Sequence, residues 1–336
     1  MNVPDEAEVA RWLQDVGLAE PDEVPTITPL AGGVSSDVLR VDLRRGPICV
    51  KRALPQLKVK SVWCAPVVRS DYEVAWLRTV RALGGPMAPE VLAADPRASR
   101  FAMTWFPPER YRVWKGELAA GRADADFAET VGRVLARIHG HSAGSPELAV
   151  AFATDALFES LRIEPYLRHT AKAHPDLGSR LLQLADETLA RKTALVHGDV
   201  SPKNILVGPE GPVFLDAECA WFGDPAFDIA FCGAHLLLKA VWRRAHAPAL
   251  LDAYAALCRG YLRGVGWERP DALDHRAGAL IAALLLARVD GKSPVEYLTA
   301  SDAQAFVRRN ARQLLTRDRL SLKDVGDGWR EQLERQ

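Results

Sequence analysis

Val9, Trp12, Leu13 and Val16 recur at the three-to-four-residue spacing of a helix, and Pro4-Asp5 ahead of them is a start signal. A leading helix is therefore expected over roughly residues 5–18. From Thr26 to Arg52 the texture changes. Ile27, Leu30, Val38, Val41, Leu43, Ile48 and Val50 fall in short β-rich runs, separated by Gly32-Gly33 and Arg45-Gly46-Pro47. This predicts three antiparallel strands with tight turns. Helical spacing returns over roughly residues 70–83, and Val91–Ala93 and Phe101–Phe106 read as two more strands joined at Asp95-Pro96. Pro107-Pro108 then marks a hinge. Beyond the hinge the chain is mostly amphipathic helix, at roughly 125–141, 154–168 and 176–191 and again from Asp228 onward, with one β-rich island from Leu195 to Leu215. The layout is an α+β chain of two lobes around a cleft. Residues 1–106 form a small lobe with a five-stranded antiparallel sheet and one helix behind the leading helix; residues 107–336 form a larger, mainly helical lobe.

Composition narrows the class. Of 336 residues, 48% are hydrophobic and 26% charged, which is enough apolar material for a sizeable core and excludes a disordered chain. Lys and Arg number 43 and Asp and Glu 43, so the basic surplus of a nucleic-acid binder is missing overall and no nucleic-acid partner is expected. The five cysteines, at 49, 64, 219, 232 and 258, contain no CxxC pair and read as reduced, buried thiols. The longest apolar run, Ala277 to Ala287, is far shorter than the ~20 residues of a membrane span. Met1 to Glu8 lacks the basic start and apolar stretch of a signal peptide, so a cytoplasmic protein is expected.

The most informative stretch runs from Leu195 to Val207. Within it, His197-Gly198-Asp199 is followed by Asn204 after four intervening residues, and Asp216-Ala217-Glu218 comes at the end of the next predicted strand. An apolar strand ending at Val196 would project Asp199 from the turn after it, and the returning strand would begin near Asn204. Three oxygen-bearing side chains then converge, and Asp and Asn oxygens are hard ligands suited to Mg²⁺. Phosphoryl transfer needs such a set: one carboxylate to accept the proton of an attacking hydroxyl, and an Asn and an Asp to hold metal on the phosphates. The protein-kinase pattern H-R-D-x-x-x-x-N has the same Asp-to-Asn spacing. Here Gly198 replaces the Arg, Asp216-Ala217-Glu218 replaces D-F-G, and the chain has no A-P-E segment, which argues against an ordinary protein kinase.

His197 to Asn204, Asp216-x-Glu218 and Gly223-Asp-Pro-Ala-Phe-Asp228 together resemble the aminoglycoside phosphotransferase and choline kinase superfamily. The Asp-x-Glu form, with Trp221-Phe222-Gly223 after it, is closer in style to the methylthioribose kinases. The resemblance covers roughly residues 25–300. It implies a protein-kinase-like fold and an ATP- or GTP-dependent enzyme that phosphorylates a hydroxyl of a small molecule, with Asp199 as catalytic base. It implies Mg²⁺ on Asn204 and Asp216, with Glu218 ligating directly, through water, or only supporting Asp216. In the small lobe, Gly32, Gly33, Ser35 and Ser36 stand where a phosphate-covering turn belongs. Lys51 stands on the third strand, where it would meet the nucleotide phosphates, and Glu73 on the next helix, where it would pair with Lys51. Met103 and Trp105 are core residues by default, but in this fold their strand lines the adenine pocket. Asp228 is either a helix N-cap or, as the resemblance implies, a brace for the catalytic loop. For the acceptor, His235, Arg288 and Asp290 are the candidates, each more readily read as a helix cap or surface charge. From Phe231 on there are 17 Lys and Arg against 12 Asp and Glu, which leans toward a neutral or weakly anionic acceptor over a polycationic aminoglycoside. An aminoglycoside kinase, a protein kinase and a silent nucleotide-binding scaffold remain as alternatives.

Overall fold

The computed structural model describes residues 6–30, 35–56 and 65–335, and the chain divides into two compact units, Met1–Pro108 and Glu109–Gln336. Gly32, Gly33 and Cys64 lie outside the described residues. In the first unit, helix α1 (Glu6–Asp15) precedes strands β1 (Thr26–Pro29), β2 (Ser36–Leu43) and β3 (Gly46–Ala53). Helix α2 (Arg69–Ala82) comes next, then β4 (Val91–Asp95) and β5 (Arg100–Thr104). The five strands form one antiparallel sheet in the order β1-β2-β3-β5-β4. Side chains alternate across a strand, so Leu39, Val41, Leu43, Ile48, Val50 and Ala102 share one face, and there they pack on Val9, Trp12 and Leu13 of α1. The apolar stripe read from the sequence is thus the stripe that covers the sheet. Arg100 closes this contact, with its guanidinium 4.8 Å from the Trp12 ring centre and on Glu8 at 2.8 Å.

The second unit begins with β6 (Arg112–Val113) and α3 (Trp114–Ala119), neither of which the periodicity predicts because both are too short to show one. Helices α4 (Ala125–Ser142), α5 (Pro146–Ala151) and α6 (Asp155–Phe158) lead into a π-helical stretch, Glu159–Arg168, that contains Pro165. Then come α7 (His169–Ala173), α8 (Pro175–Ala190) and four short strands, β7 (Ala194–Val196), β8 (Ile205–Gly208), β9 (Gly211–Phe214) and β10 (Trp221–Gly223). The expected β island is therefore two small sheets, β10-β7 and β6-β8-β9. Five helices complete the unit: α9 (Ala226–Trp242), α10 (Ala247–Leu262), α11 (Pro270–Asp290), α12 (Ser301–Leu315) and α13 (Leu322–Glu334). α9 is buried from Ala226 through Val241, as expected of a helix apolar on all sides. No helix among the described residues is long and apolar enough to cross a membrane. Cys49, Cys219, Cys232 and Cys258 are free and buried, and burial pushes the Cys49, Cys219 and Cys258 thiols up to about 12.

α4 and α10 meet at two glycines. A Cβ on Gly132 would lie 2.2 Å from the Leu257 carbonyl oxygen, and one on Gly260 would lie 2.2 Å from that of Glu129. Gly328 in α13 has open space where a Cβ would go. Gly132→Ala is expected to destabilise the protein by about 2 kcal/mol or more, because backbone collision outweighs the helix-propensity gain of ~1 kcal/mol. Gly328→Ala is expected to stabilise it by about 0.5–1 kcal/mol. Urea denaturation midpoints of the two variants check both signs.

Candidate active site

In the first unit the strand registers sort the predicted nucleotide residues. Lys51 is opposite Val38 and Phe101, Cys49 is opposite Arg40 and Met103, and Ser36 is opposite Ala53. Directly opposed residues share a face, so Ser36, Lys51 and Met103 lie on the same face of the sheet, the one away from α1. Trp105, just past β5, continues that row, and the Arg40 guanidinium lies 5.4 Å from its ring centre. Lys51 and Glu73 form a buried ion pair: the Lys51 ammonium donates to both carboxylate oxygens at 2.9 and 2.7 Å, with the side chains 6% and 2% exposed. An ammonium this far out of water needs an anion, and α2 supplies it. Arg69 at the head of α2 is fully buried and donates to the carbonyls of Ser35 and Leu54 at 2.5 and 2.7 Å, tying the start of β2 to the end of β3. Nothing in the local sequence around Arg69 marks it for this.

In the second unit the loop after β7 is organised by Asp228 in the first turn of α9. Its carboxylate accepts from the backbone N–H groups of His197 at 2.7 Å and Gly198 at 2.8 Å and contacts His139 Nε2 at 3.2 Å. Pro225 stands at the N-cap of α9 and it is Asp224 that accepts from the Ala226 N–H, at 3.0 Å, so of the two readings of Asp228 the loop brace is the one observed. Gly198 has φ +78°, and a Cβ there would lie 2.5 Å from the Cys219 carbonyl oxygen. The arginine of protein kinases has no room at this position. His197 is buried, with Nε2 on the Leu215 carbonyl at 3.0 Å and Nδ1 accepting from the Asp199 N–H at 3.1 Å. Burial lowers its pKa against the pull of Asp228 and Asp199. Both ring nitrogens are used in holding the loop.

Asp199 is buried, with its side chain 9% exposed, and two cations meet it: Lys203 Nζ at 3.1 Å and Arg162 Nη2 at 3.2 Å, both on Oδ2. Burial alone would raise its pKa. Lys203 and Arg162 more than reverse this, and the carboxyl sits below its usual value. Neither cation is among the residues that the sequence singles out. Lys203 stands inside the motif, four residues beyond Asp199, where its charge is a usable signal. Arg162 lies in the π-helical stretch and also donates through Nε to the Gly198 carbonyl; no local pattern connects it to Asp199. Asn204 uses its side-chain nitrogen to donate to the Asp199 carbonyl at 3.0 Å, which leaves Oδ1 as its remaining side-chain group. Asp216 comes after β9 in the left-handed region, φ +68°, a strained conformation that is frequent at functional sites. Asp216 and Glu218 offer carboxylate oxygens within 4.8 Å of one another. Asn204, Asp216 and Glu218 are all hard oxygen donors and fit a divalent cation such as Mg²⁺.

The three acceptor candidates separate. His235 on α9 is 8% exposed and lies edge-on to Phe231 at 5.2 Å between ring centres. Arg288, in the last turn of α11, lies over the Tyr166 ring at 5.4 Å; its Nη1 donates to the Tyr166 hydroxyl at 3.1 Å and to the Ser293 carbonyl. Asp290 does not join them. Both of its oxygens are taken by Arg308, at 2.6 and 2.7 Å, and one also meets His174 Nε2 at 2.9 Å. That makes Asp290 a tie between α11, α12 and the start of α8, a pairing invisible in sequence because the partners are 18 and 116 residues away.

A five-stranded antiparallel unit and then a helical unit carrying this loop make a kinase-like α+β architecture. Solved structures share it. A choline/ethanolamine kinase family protein from Mesorhizobium loti aligns at TM-score 0.53 and 16% identity over 97% of this chain and 99% of its own. An amicoumacin kinase, solved in complex with AMP-PNP, Ca²⁺ and Ami, aligns at TM-score 0.58 and 14% identity over 94% and 95%. Residues 26–273 match the Phosphotransferase enzyme family, and the chain belongs to that family. It is similar to curated methylthioribose kinases, 27% identical to that of Pectobacterium atrosepticum over 70% of this chain and 65% of that one. A rice enzyme, methylthioribose kinase 2, is 24% identical over 68% and 60%. The chain thus spans just under two thirds of the length of these relatives.

The Gly198 geometry yields a direct test. Gly198→Ala is expected to displace the loop between His197 and Asn204 and to lower the thermal midpoint by several degrees, since strain at positive φ and the collision with Cys219 act together. An unchanged midpoint in differential scanning calorimetry would contradict the tight approach.

Proposed function

We propose that the protein is a small-molecule kinase that transfers the γ-phosphate of ATP to a hydroxyl group. The observation that carries this is Asp199, a buried carboxylate held in its ionised form by Lys203 and Arg162 on a loop that also bears Asn204 and precedes Asp216 and Glu218. In the first unit Lys51, kept charged and oriented by Glu73, meets the nucleotide phosphates, and Met103 and Trp105, on the same sheet face, line the base. In the second unit Asp199 orients the acceptor hydroxyl and accepts its proton. The hydroxyl oxygen bonds to the γ-phosphorus while the bond from that phosphorus to the ADP oxygen breaks. Asn204, Asp216 and Glu218 hold Mg²⁺, which when bound neutralises phosphate charge. Family membership and the methylthioribose kinase relatives support this reading, as does the amicoumacin kinase solved with an ATP analogue and a divalent cation.

ATP turnover over a panel of hydroxylated metabolites tests it. Asp199→Asn is expected to lower kcat at least ~100-fold while Mg-ATP affinity is kept, since a general base acts at the chemical step. Near-normal turnover would remove Asp199 from that role. Lys203→Met takes a cation from beside the carboxylate, so the Asp199 pKa rises toward its usual value. The acid limb of kcat/KM therefore moves to higher pH, while Lys203→Arg leaves it in place. A pH profile that is the same in the Met variant would show that Asp199 ionisation does not set this limb.

A further inference from the structure

Along one face of α9 stand Phe231, His235 and Lys239, each four residues from the next. The face begins beside the catalytic loop. Arg162, on Asp199 at 3.2 Å, lies over the Phe231 ring at 5.8 Å, and Phe231 in turn touches His235 and Tyr166. Arg288 lies over Tyr166. The far end is Lys239, which is 1% exposed, and its ammonium has no hydrogen-bond partner among the described residues. It is boxed by aromatic rings, 4.4 Å from the centre of Tyr297 and 5.4 Å from that of Trp242. The Arg288 Nε–H and the Tyr297 hydroxyl are likewise buried and without a hydrogen-bond partner among the described residues. Cations dominate the surroundings: Arg288, Lys239, Lys203 and Lys115 all depress His235, after burial itself. The nearby carboxylate, Glu296, is taken by Lys115, and neither Lys239 nor Arg288 has a carboxylate partner among the described residues.

A buried ammonium without an acceptor is among the least favourable arrangements in a protein interior. A second orphaned donor, Arg288 Nε, belongs to a side chain that, like Lys239, acts on His235, and it is on the guanidinium edge that grips an oxyanion. We propose that this cationic cluster binds the acceptor through an oxyanion, a carboxylate or phosphate carried by the hydroxylated molecule at the end away from the reacting hydroxyl. This rests on the reading of the second unit as the acceptor side of a small-molecule kinase. Eight residues of helix separate Phe231 from Lys239, about 12 Å of axis, so the acceptor is an extended molecule of sugar-acid or sugar-phosphate size. Polycationic acceptors are repelled. Tyr297 belongs to the irregular segment between α11 and α12, which has the least regular structure to lose when a ligand enters.

The test measures binding apart from transfer. Gluconate and glucuronate form one arm, glucose 6-phosphate and ribose 5-phosphate the other, and glucose and ribose are the neutral controls. Each is titrated calorimetrically into the full chain with Mg-AMP-PNP present, in wild type, Lys239→Met and Arg288→Gln. The expected result is that one anionic arm binds at least 10-fold more tightly than its neutral parent. Lys239→Met and Arg288→Gln should each abolish that preference and leave Mg-AMP-PNP affinity unchanged. Without sugar, Lys239→Met should melt at a higher temperature than wild type, because the unpaired ammonium is gone; a structural lysine would do the opposite. The proposal is overturned by neutral controls that bind as well as the anions, by the absence of any anion binding, or by a preference that survives in Lys239→Met. Phosphoryl transfer to a neutral sugar alone would leave the kinase reading standing and sink this one. Lys239-dependent anion binding with no transfer to any hydroxyl would do the reverse.

Discussion

The second unit turns on one carboxylate. Asp228, fully buried in the first turn of α9, accepts the N–H groups of His197 and Gly198. Those two bonds hold the loop in a path that needs positive φ at Gly198 and brings it to within 2.5 Å of another backbone, counting from the position of a glycine Cβ. Because Asp228 is part of α9, the same contact joins the loop to the helix. The direction in which Asp199 is held and the face along which Phe231, His235 and Lys239 stand are therefore set together.

Buried charge is handled in three ways in this protein. Lys51 and Glu73 are paired, an arrangement that adds little net stability but is strongly destabilised if one partner is removed, so each partner holds the other in place. Asp199 is overcompensated by two cations, which favours its ionised form. Lys239 has no hydrogen-bond partner among the described residues, and burial, with Lys115, brings its pKa down to about 8 against the pull of Glu296. The contrast matters because the same fold shows that it can supply a counter-ion where one is wanted: Glu73 to Lys51, Glu296 to Lys115, Asp290 to Arg308. A cation left without one among the described residues is set apart from these three.

Much of the fold is legible in the sequence because its elements are locally encoded. The alternation through Leu39, Val41 and Leu43 and the helical spacing of Val9, Trp12 and Leu13 each express one element's own period, and these stripes meet across the sheet. The loop from His197 to Asn204 is legible because its residues are close in sequence. Less is visible where a role depends on a distant partner. Arg162 reaches Asp199 from a π-helical stretch that contains a proline, and the spacing of Asp290 from Arg288 gives no sign that Arg308 and His174 claim it. The short elements β6, α3 and α5 have too few residues to display a period.

The amino-acid order alone carries the kind of chain this is: five antiparallel strands before a helical region, a loop with Asp199 and Asn204 at fixed spacing, and Asp216 and Glu218 two residues apart. These features come from backbone periodicity and from groups joined by a short run of chain. Which charges meet is settled by the packed fold. It placed Lys203 and Arg162 on Asp199, gave Asp228 to the loop, tied Asp290 to α12, and left Lys239 enclosed by aromatic rings with no partner among the described residues. The physical reason is that an ion pair forms at about 3–4 Å between side chains whose separation in sequence is unrelated to that distance, and the packing of whole helices sets it.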